Sequence, residues 1–270
     1  MANKVIVFGN EKGGTGKSTL AMHLAVSLLN SGYKVGTIDV DAKQGTFSRY
    51  IENREKTHKI DSSLTLPIHR PIFFVDNESE NRMNFMRAIE NLIDCDYIVV
   101  DTPGHDNDLS RYAHSYADTL ITPINESFVD LDLLVRIKDV INNSELTPSS
   151  YAEMVWEQKK QKAIRSKGTI DWIVLLNRMA NIASKNRIEL EKVLAALSKR
   201  IGFRLAKGFR ERVIFREMFL TGLTLVDKKS TVAQTSLSHI AARYELADLL
   251  KFINITENKD AAGQQSESDN

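Results

Sequence analysis

At 270 residues, 42% hydrophobic and 26% charged, the chain has the composition of an ordinary globular protein, with room for one large α/β core. A formal net charge of +1 excludes a global pull on polyanions, so any nucleic-acid binding must come from a local patch. The single cysteine, Cys95, excludes an internal disulfide and a cysteine-built metal cage, and with no membrane-length apolar run or signal peptide the chain reads as cytoplasmic, without a membrane anchor.

The first element is the apolar run Val5-Ile6-Val7-Phe8, which suits a buried parallel strand. Glu11-Lys12-Gly13-Gly14-Thr15-Gly16-Lys17-Ser18-Thr19 follows, and Leu20 to Leu29 then has the composition of a helix. Strand, glycine-rich turn and helix is the setting of a phosphate-binding loop. Backbone N–H groups and the helix N-terminus cradle a polyphosphate there, so Gly13, Gly14, Thr15, Gly16, Lys17, Ser18 and Thr19 are the predicted nucleotide-binding residues. Lys17 would reach the β- and γ-phosphates and Ser18 would bind Mg²⁺ directly. The strict pattern G-x-x-x-x-G-K-[ST] misses, because Glu11 stands where its first glycine belongs. The loop instead fits K-G-G-x-G-K-[ST], with Lys12 as an added lysine.

Lys34 to Asp39 reads as a second strand, entered through the turn Asn30-Ser31-Gly32. It ends in Asp39 and Asp41, two carboxylates at a spacing that puts them on one face of a strand: either site groups or a solvated strand end. A helix is predicted from about Gln44 to Lys56, then a polar surface loop over 57–78 with a short strand at Ile72-Phe73-Phe74. Helical spacing returns in Met83, Phe85, Met86, Ile89 and Ile93. Tyr97 to Val100 is a buried strand ending in Asp101, whose position suits a magnesium ligand acting through water. Thr102, Pro103 and Gly104, with the polar residues after them, would form a switch that senses the γ-phosphate. His105 reads as an exposed loop residue.

Two further strands are predicted at Thr119–Pro123 and Trp172–Asn177. The alternation predicts an α/β fold, a mostly parallel twisted sheet with helices on both faces, as one domain over residues 1–256. Seven basic residues (Lys199, Arg200, Arg204, Lys207, Arg210, Arg212 and Arg216) crowd a stretch in which only Glu211 opposes them. They are either a phosphate-backbone footprint or solvated faces. A second cluster, Lys159, Lys160, Lys162, Arg165 and Lys167, has the same two readings. Ile240 to Ile253 is amphipathic but poor in basic residues, so it reads as a helix packed on its own core. The polar residues 257–270 are predicted to be a disordered tail.

The loop resembles that of the ParA/MinD superfamily of ATPases, whose deviant Walker A motif carries the same extra lysine. The resemblance implies that Lys12 reaches across a homodimer formed on ATP, that Asp39 helps order the Mg²⁺ shell, and that Asp41 positions the attacking water. It implies catalytic roles for Lys12, Lys17 and Asp41, and adenine recognition by Asn177. Nitrogenase iron protein and iron–sulfur carriers, which need paired cysteines, are set aside. So is a large plasmid-type partition ATPase, since the first strand begins by residue five.

Within the superfamily, VIVFGNEKGGTGKST (Val5–Thr19), IDVDAKQGTFSRYIENR (Ile38–Arg54), SFVDLDLL (Ser127–Leu134), VWEQKKQKA (Val155–Ala163), DWIVLLNR (Asp171–Arg178) and RVIFREMFLTGLTLVD (Arg212–Asp227) resemble the division-site-positioning MipZ family. That resemblance implies a slow, Mg²⁺-dependent ATPase that dimerises with ATP, holds nucleoid DNA without sequence preference, is recruited by ParB and inhibits assembly of FtsZ. DNA contacts would come from Lys199, Arg200, Arg204, Arg210, Arg212 and Arg216. A ParA-type chromosome or plasmid partition ATPase is the alternative. A metabolic ATP-dependent ligase such as dethiobiotin synthetase is the alternative of another class.

Overall fold

The structure, a computed structural model, describes residues 3–136, 147–180, 185–227 and 236–255. The predicted polar tail lies outside them. β1 (Lys4–Phe8) runs into the glycine-rich loop and α1 (Lys17–Asn30). β2 (Val35–Asp39) leads to α2 (Thr46–His58), β3 (Ile68–Pro71) to α3 (Glu78–Glu90), and β4 (Tyr97–Asp101) to α4 (Asp108–Tyr116). β5 (Thr119–Asn125) is followed by a 3-10 turn at Phe128–Leu133 and by α5 (Ser150–Ser166). The chain continues through β6 (Asp171–Asn177), α6 (Lys185–Leu197), β7 (Arg204–Ala206), α7 (Ile214–Thr221) and α8 (Leu237–Phe252).

Among the described residues, seven strands form one parallel sheet in the order β3-β2-β4-β1-β5-β6-β7. Parallel strands are covered on both faces, which is why the central ones read as unbroken apolar runs. Alternate side chains nevertheless go to different cores. Val5, Val7, Ile98, Val100, Trp172 and Val174 pack under α3, α4, α5 and α6. Ile6, Phe8, Val99, Ile173 and Leu175 pack under α1, α2, α7 and α8. The predicted α/β architecture is the observed one.

The edge strand differs from expectation. It lies at Ile68–Pro71 rather than at Ile72–Phe74. An edge strand has one neighbour and an open side, so its sequence, IHRP, carries no apolar run to mark it. The amphipathic helix expected near the C-terminus is α8, which buries Ala242, Leu246 and Leu249 against the core. Among the described residues no helix is long and apolar enough to cross a membrane.

β1 sits between β4 and β5, where the strand order turns from one direction to the other. In open parallel sheets that point leaves a crevice beyond the carboxyl ends of the strands.

Candidate active site

The residues singled out for nucleotide chemistry lie beyond the carboxyl ends of β1, β2, β4 and β6. The loop from Lys12 turns on Gly14 (φ 75°) and Gly16 (φ 90°), left-handed conformations that side chains rarely adopt. Gly16 delivers the chain directly into α1, whose N-terminus has no side-chain cap and no acidic residue in its first turn. The unmet N–H groups and the positive end of the helix dipole therefore face the crevice.

A cavity of about 200 Å³ opens there, lined among others by Gly13, Lys17, Ser18, Asp39, Asp41 and Asp101. Lys17 is buried, and its ammonium donates to the Lys12 carbonyl at 3.0 Å. Burial pulls its pKa down, against the carboxylates of Asp101 and Asp41. The Ser18 hydroxyl donates to Asp101 Oδ2 at 2.6 Å. Asp101 Oδ1 is buried with no hydrogen-bond partner. Burial, reinforced by Asp39, pushes the Asp101 carboxyl up to about 8.

Three carboxylates thus share a hole with one ammonium, and one of their oxygens is orphaned. A divalent cation suits that donor set, and Ser18, Asp39 and Asp101 are the residues that would hold it. Bound there with a nucleotide, Mg²⁺ would neutralise phosphate charge.

Asp39 is held from two sides. Its Oδ1 accepts the Asp41 amide at 2.9 Å, and its Oδ2 accepts the Ser48 amide at 3.0 Å and the Ser48 hydroxyl at 2.7 Å. Asp41 is half-buried, and its pKa is raised by that burial and by Asp39. Thr102 is tied to the Phe8 carbonyl through its hydroxyl at 2.8 Å, and Pro103 is buried. At Gly104 a Cβ would stand 2.8 Å from the Gly13 nitrogen, so the segment after β4 rests directly on the phosphate-binding loop. His105 is exposed.

Lys12 is arranged differently from Lys17. Its ammonium donates to the Val129 carbonyl at 2.7 Å and to Asp130 Oδ1 at 3.1 Å, with its side chain 34% exposed. Asn177 donates from Nδ2 to the Thr15 carbonyl at 2.7 Å. Beside it lies a second cavity of about 460 Å³, bordered by Gly16, Thr19, Asn177, Arg178, Arg210 and Phe215, with dimensions that suit a base and a sugar.

The basic stretch looks different in space from what it does along the chain. Arg212 is buried in a two-bond pair with Glu245 (2.5 and 2.8 Å), so it is a strut between the β7–α7 segment and α8 rather than a surface charge. Arg204 pairs with Asp171, Lys207 with Asp248 and Arg216 with Glu211. Lys199, Arg200 and Arg210 are exposed. In the second cluster, Lys162 is buried against Asp118 and the last carbonyls of α4. Sequence reasoning gave no role to Ser48, His69 or Asp130. Asp130 lies in the quoted SFVDLDLL passage, but nothing local pairs it with Lys12, 118 residues away.

The sheet, the glycine-rich loop and the cavity beyond it define a P-loop nucleotide-binding fold of the ParA/MinD kind. The model of one family, described as ATPase MipZ, matches residues 4–257, and the chain belongs to that family. Among solved structures it resembles the ATP complex of Cyanothece McdA, with TM-score 0.66 and 16% identity over 95% of this chain and 98% of that one. A plasmid partition protein from Borrelia burgdorferi gives 0.57 and 19%, over 93% and 99%. The septum site-determining protein MinD from Pyrococcus horikoshii, complexed with Mg-ADP, gives 0.56 and 18%, over 95% and 99%. At these identities the likeness is one of fold. A local stretch of 37 residues is 57% identical to the iron–sulfur cluster carrier protein of Aquifex aeolicus (strain VF5), covering 14% of this chain and only 10% of that protein.

Proposed function

We propose that this chain is an ATP-switched dimer that sets the division site, a slow Mg²⁺-dependent ATPase built on one domain over residues 1–256. The observation that carries the reading is the division between its two loop lysines. Lys17 serves the phosphate cavity, whereas Lys12 is bonded outside it, to Val129 and Asp130. Lys12 is thus spare for a second subunit, where an ammonium offsets two triphosphates facing each other. An ATP complex of one fold relative and an Mg-ADP complex of another agree with ATP and Mg²⁺ as cofactors. Asp41 holds the in-line water, and Thr102, Pro103 and Gly104 report the γ-phosphate to the dimer interface.

Family membership supports the remaining parts: recruitment by ParB, sequence-indifferent binding to nucleoid DNA by the ATP dimer, inhibition of FtsZ assembly, and a cytoplasmic, nucleoid-associated location. Lys199, Arg200 and Arg210 are the foremost DNA contacts; Arg204 and Arg216 would exchange carboxylate partners for phosphates, and Arg212 would support them from below.

The test is binding of Asp41→Ala protein to a random-sequence duplex with ATP and with ADP, at two salt concentrations. Tight binding with ATP alone, weakened by salt, is the expected result. Equal binding with both nucleotides, or none, overturns the nucleoid-bound dimer. A ParA-type partition ATPase is the second reading, favoured by the likeness to a plasmid partition protein. FtsZ polymers that persist in the presence of the ATP dimer would select it.

A further inference from the structure

Asp39 belongs to the phosphate cavity, yet a chain of hydrogen bonds reaches it from the edge of the sheet. The Ser48 hydroxyl has one hydrogen and gives it to Asp39 Oδ2 at 2.7 Å. Toward its other neighbour, His69 Nε2 at 3.0 Å, that hydroxyl therefore accepts. His69 carries its hydrogen on Nε2, and its Nδ1 accepts from the Thr37 hydroxyl at 3.0 Å, a tautomer assigned by the network itself. One polarity runs from Thr37 through His69 and Ser48 to Asp39.

The fold sets each link. His69 is on edge strand β3, directly beside Thr37 of β2 in register, and Thr37 is two residues before Asp39 on the same strand. Ser48 is in the first turn of α2, whose preceding residue, Gly45, offers no side-chain cap. Asp39 takes over that capping duty. The Phe47 ring stands edge-on to the imidazole at 5.9 Å and 87°. Burial lowers the pKa of His69, with Arg70 on the same side, while Asp39, Glu52 and a hydrogen bond to the Thr37 backbone pull the other way.

A buried histidine with both nitrogens bonded is often only a packing element. This one ends on a carboxylate whose other oxygen holds the amide of Asp41 at 2.9 Å. We propose that His69 is a positioning residue of the ATPase site: through Ser48 it fixes the Asp39 carboxylate, and through Asp39 the turn that presents Asp41 to the attacking water. The inference rests on the ATPase reading above. Removing the imidazole N–H frees the Ser48 hydroxyl to rotate, so Asp39 loses a fixed partner and Asp41 a fixed amide.

The test compares His69→Leu, His69→Gln and Ser48→Ala with the unaltered protein. It measures kcat and KM for ATP, the Mg²⁺ dependence of fluorescent-ATP binding, and the melting temperature without nucleotide. Glutamine keeps an N–H near the place of Nε2. His69→Leu and Ser48→Ala should each lower kcat roughly ten-fold with KM nearly unchanged, and should raise the Mg²⁺ needed for half-maximal binding several-fold. His69→Gln should recover most of both.

Unchanged kcat in His69→Leu overturns the proposal. So does an equal loss in the leucine and glutamine variants that follows their melting temperatures, which is the signature of packing alone. If His69→Leu does not fold, His69→Phe takes its place against His69→Gln, since the first cuts the link to Ser48 and the second keeps it. Absence of ATP turnover in the unaltered protein would defeat the ATPase reading instead. The Mg²⁺ titration would then still report whether His69 orders Asp39.

Discussion

Lys12 and Lys17 are five residues apart and differ in what water does for them. Lys17 is desolvated among carboxylates, a state that a polyphosphate relieves. Lys12 is one-third exposed, and its partner Asp130 is buried, so the pair is partly desolvated but open to solvent on the lysine side. Such a tether can be exchanged for phosphate oxygens across an interface. Lys12→Ala should abolish ATP-induced dimerisation in sedimentation experiments while lowering the melting temperature of the monomer only slightly; an unimpaired dimer would remove the cross-interface role. Asp41→Ala should keep ATP binding and slow turnover, so that the dimer accumulates. Normal turnover in that variant would take Asp41 out of the mechanism. These residues were legible because the loop, the paired aspartates and Asp101 are each marked by local spacing. Ser48 and His69 were not, since the link between them exists only once β3 lies beside β2 and α2 folds over both.

At the scale of elements, the joint between α2 and the segment after α7 is tied by buried charge. Arg54 is fully buried, and its guanidinium makes two 2.8 Å bonds to Asp227, with further bonds to the carbonyls of Gly222 and Thr65. Asp227 also accepts the Thr224 amide and hydroxyl. Gly222, at φ 67°, lets α7 end against the backbone of α2, where a Cβ would stand 2.0 Å from the Arg54 nitrogen. Asp227→Ala should lose about 3–5 kcal/mol in urea unfolding, because it strands a buried guanidinium. Replacing both partners with apolar residues, Arg54→Met with Asp227→Leu, should be milder than the single change. A loss of under about 1 kcal/mol in Asp227→Ala would show that water reaches the guanidinium. The sequence held both residues in plain view but could not join them across 173 positions. The same limit explains the basic stretch. Counting charges along the chain found one opposing acid, whereas Asp171, Glu245 and Asp248 arrive from β6 and α8. It also explains β3, whose sequence lacks the apolar run that announced the interior strands.

For the molecule as a whole, the two cores each contain a neutral histidine that no local pattern announces. His23 of α1 and His114 of α4 are buried on opposite faces of the sheet, and burial lowers each from the ordinary 6.5 to about 4. Between those values the unfolded chain binds protons that the folded one refuses, so stability falls as pH drops from about 6.5 toward 4. Asp101 acts in the opposite sense. Its folded pKa is raised from 3.8 to about 8, so the folded chain holds a proton that the unfolded one has released. That costs stability as pH rises, at about 1.4 kcal/mol per pH unit for one net proton. Two histidines, with His69 on their side, outweigh Asp101 below pH 6.5, and Asp101 supplies the falling limb above it. The melting temperature of the ligand-free protein should therefore peak near pH 6.5 and decline on both sides. If Asp101 serves a bound magnesium nucleotide as an anion, adding one should flatten the decline between pH 6.5 and 8 and leave the acid limb in place. Melting curves over this range with and without Mg-ADP make the comparison. An acid limb that vanished with nucleotide would tie the histidines to the site, and an alkaline limb that survived it would mean that the Asp101 carboxylate is not what the cation neutralises.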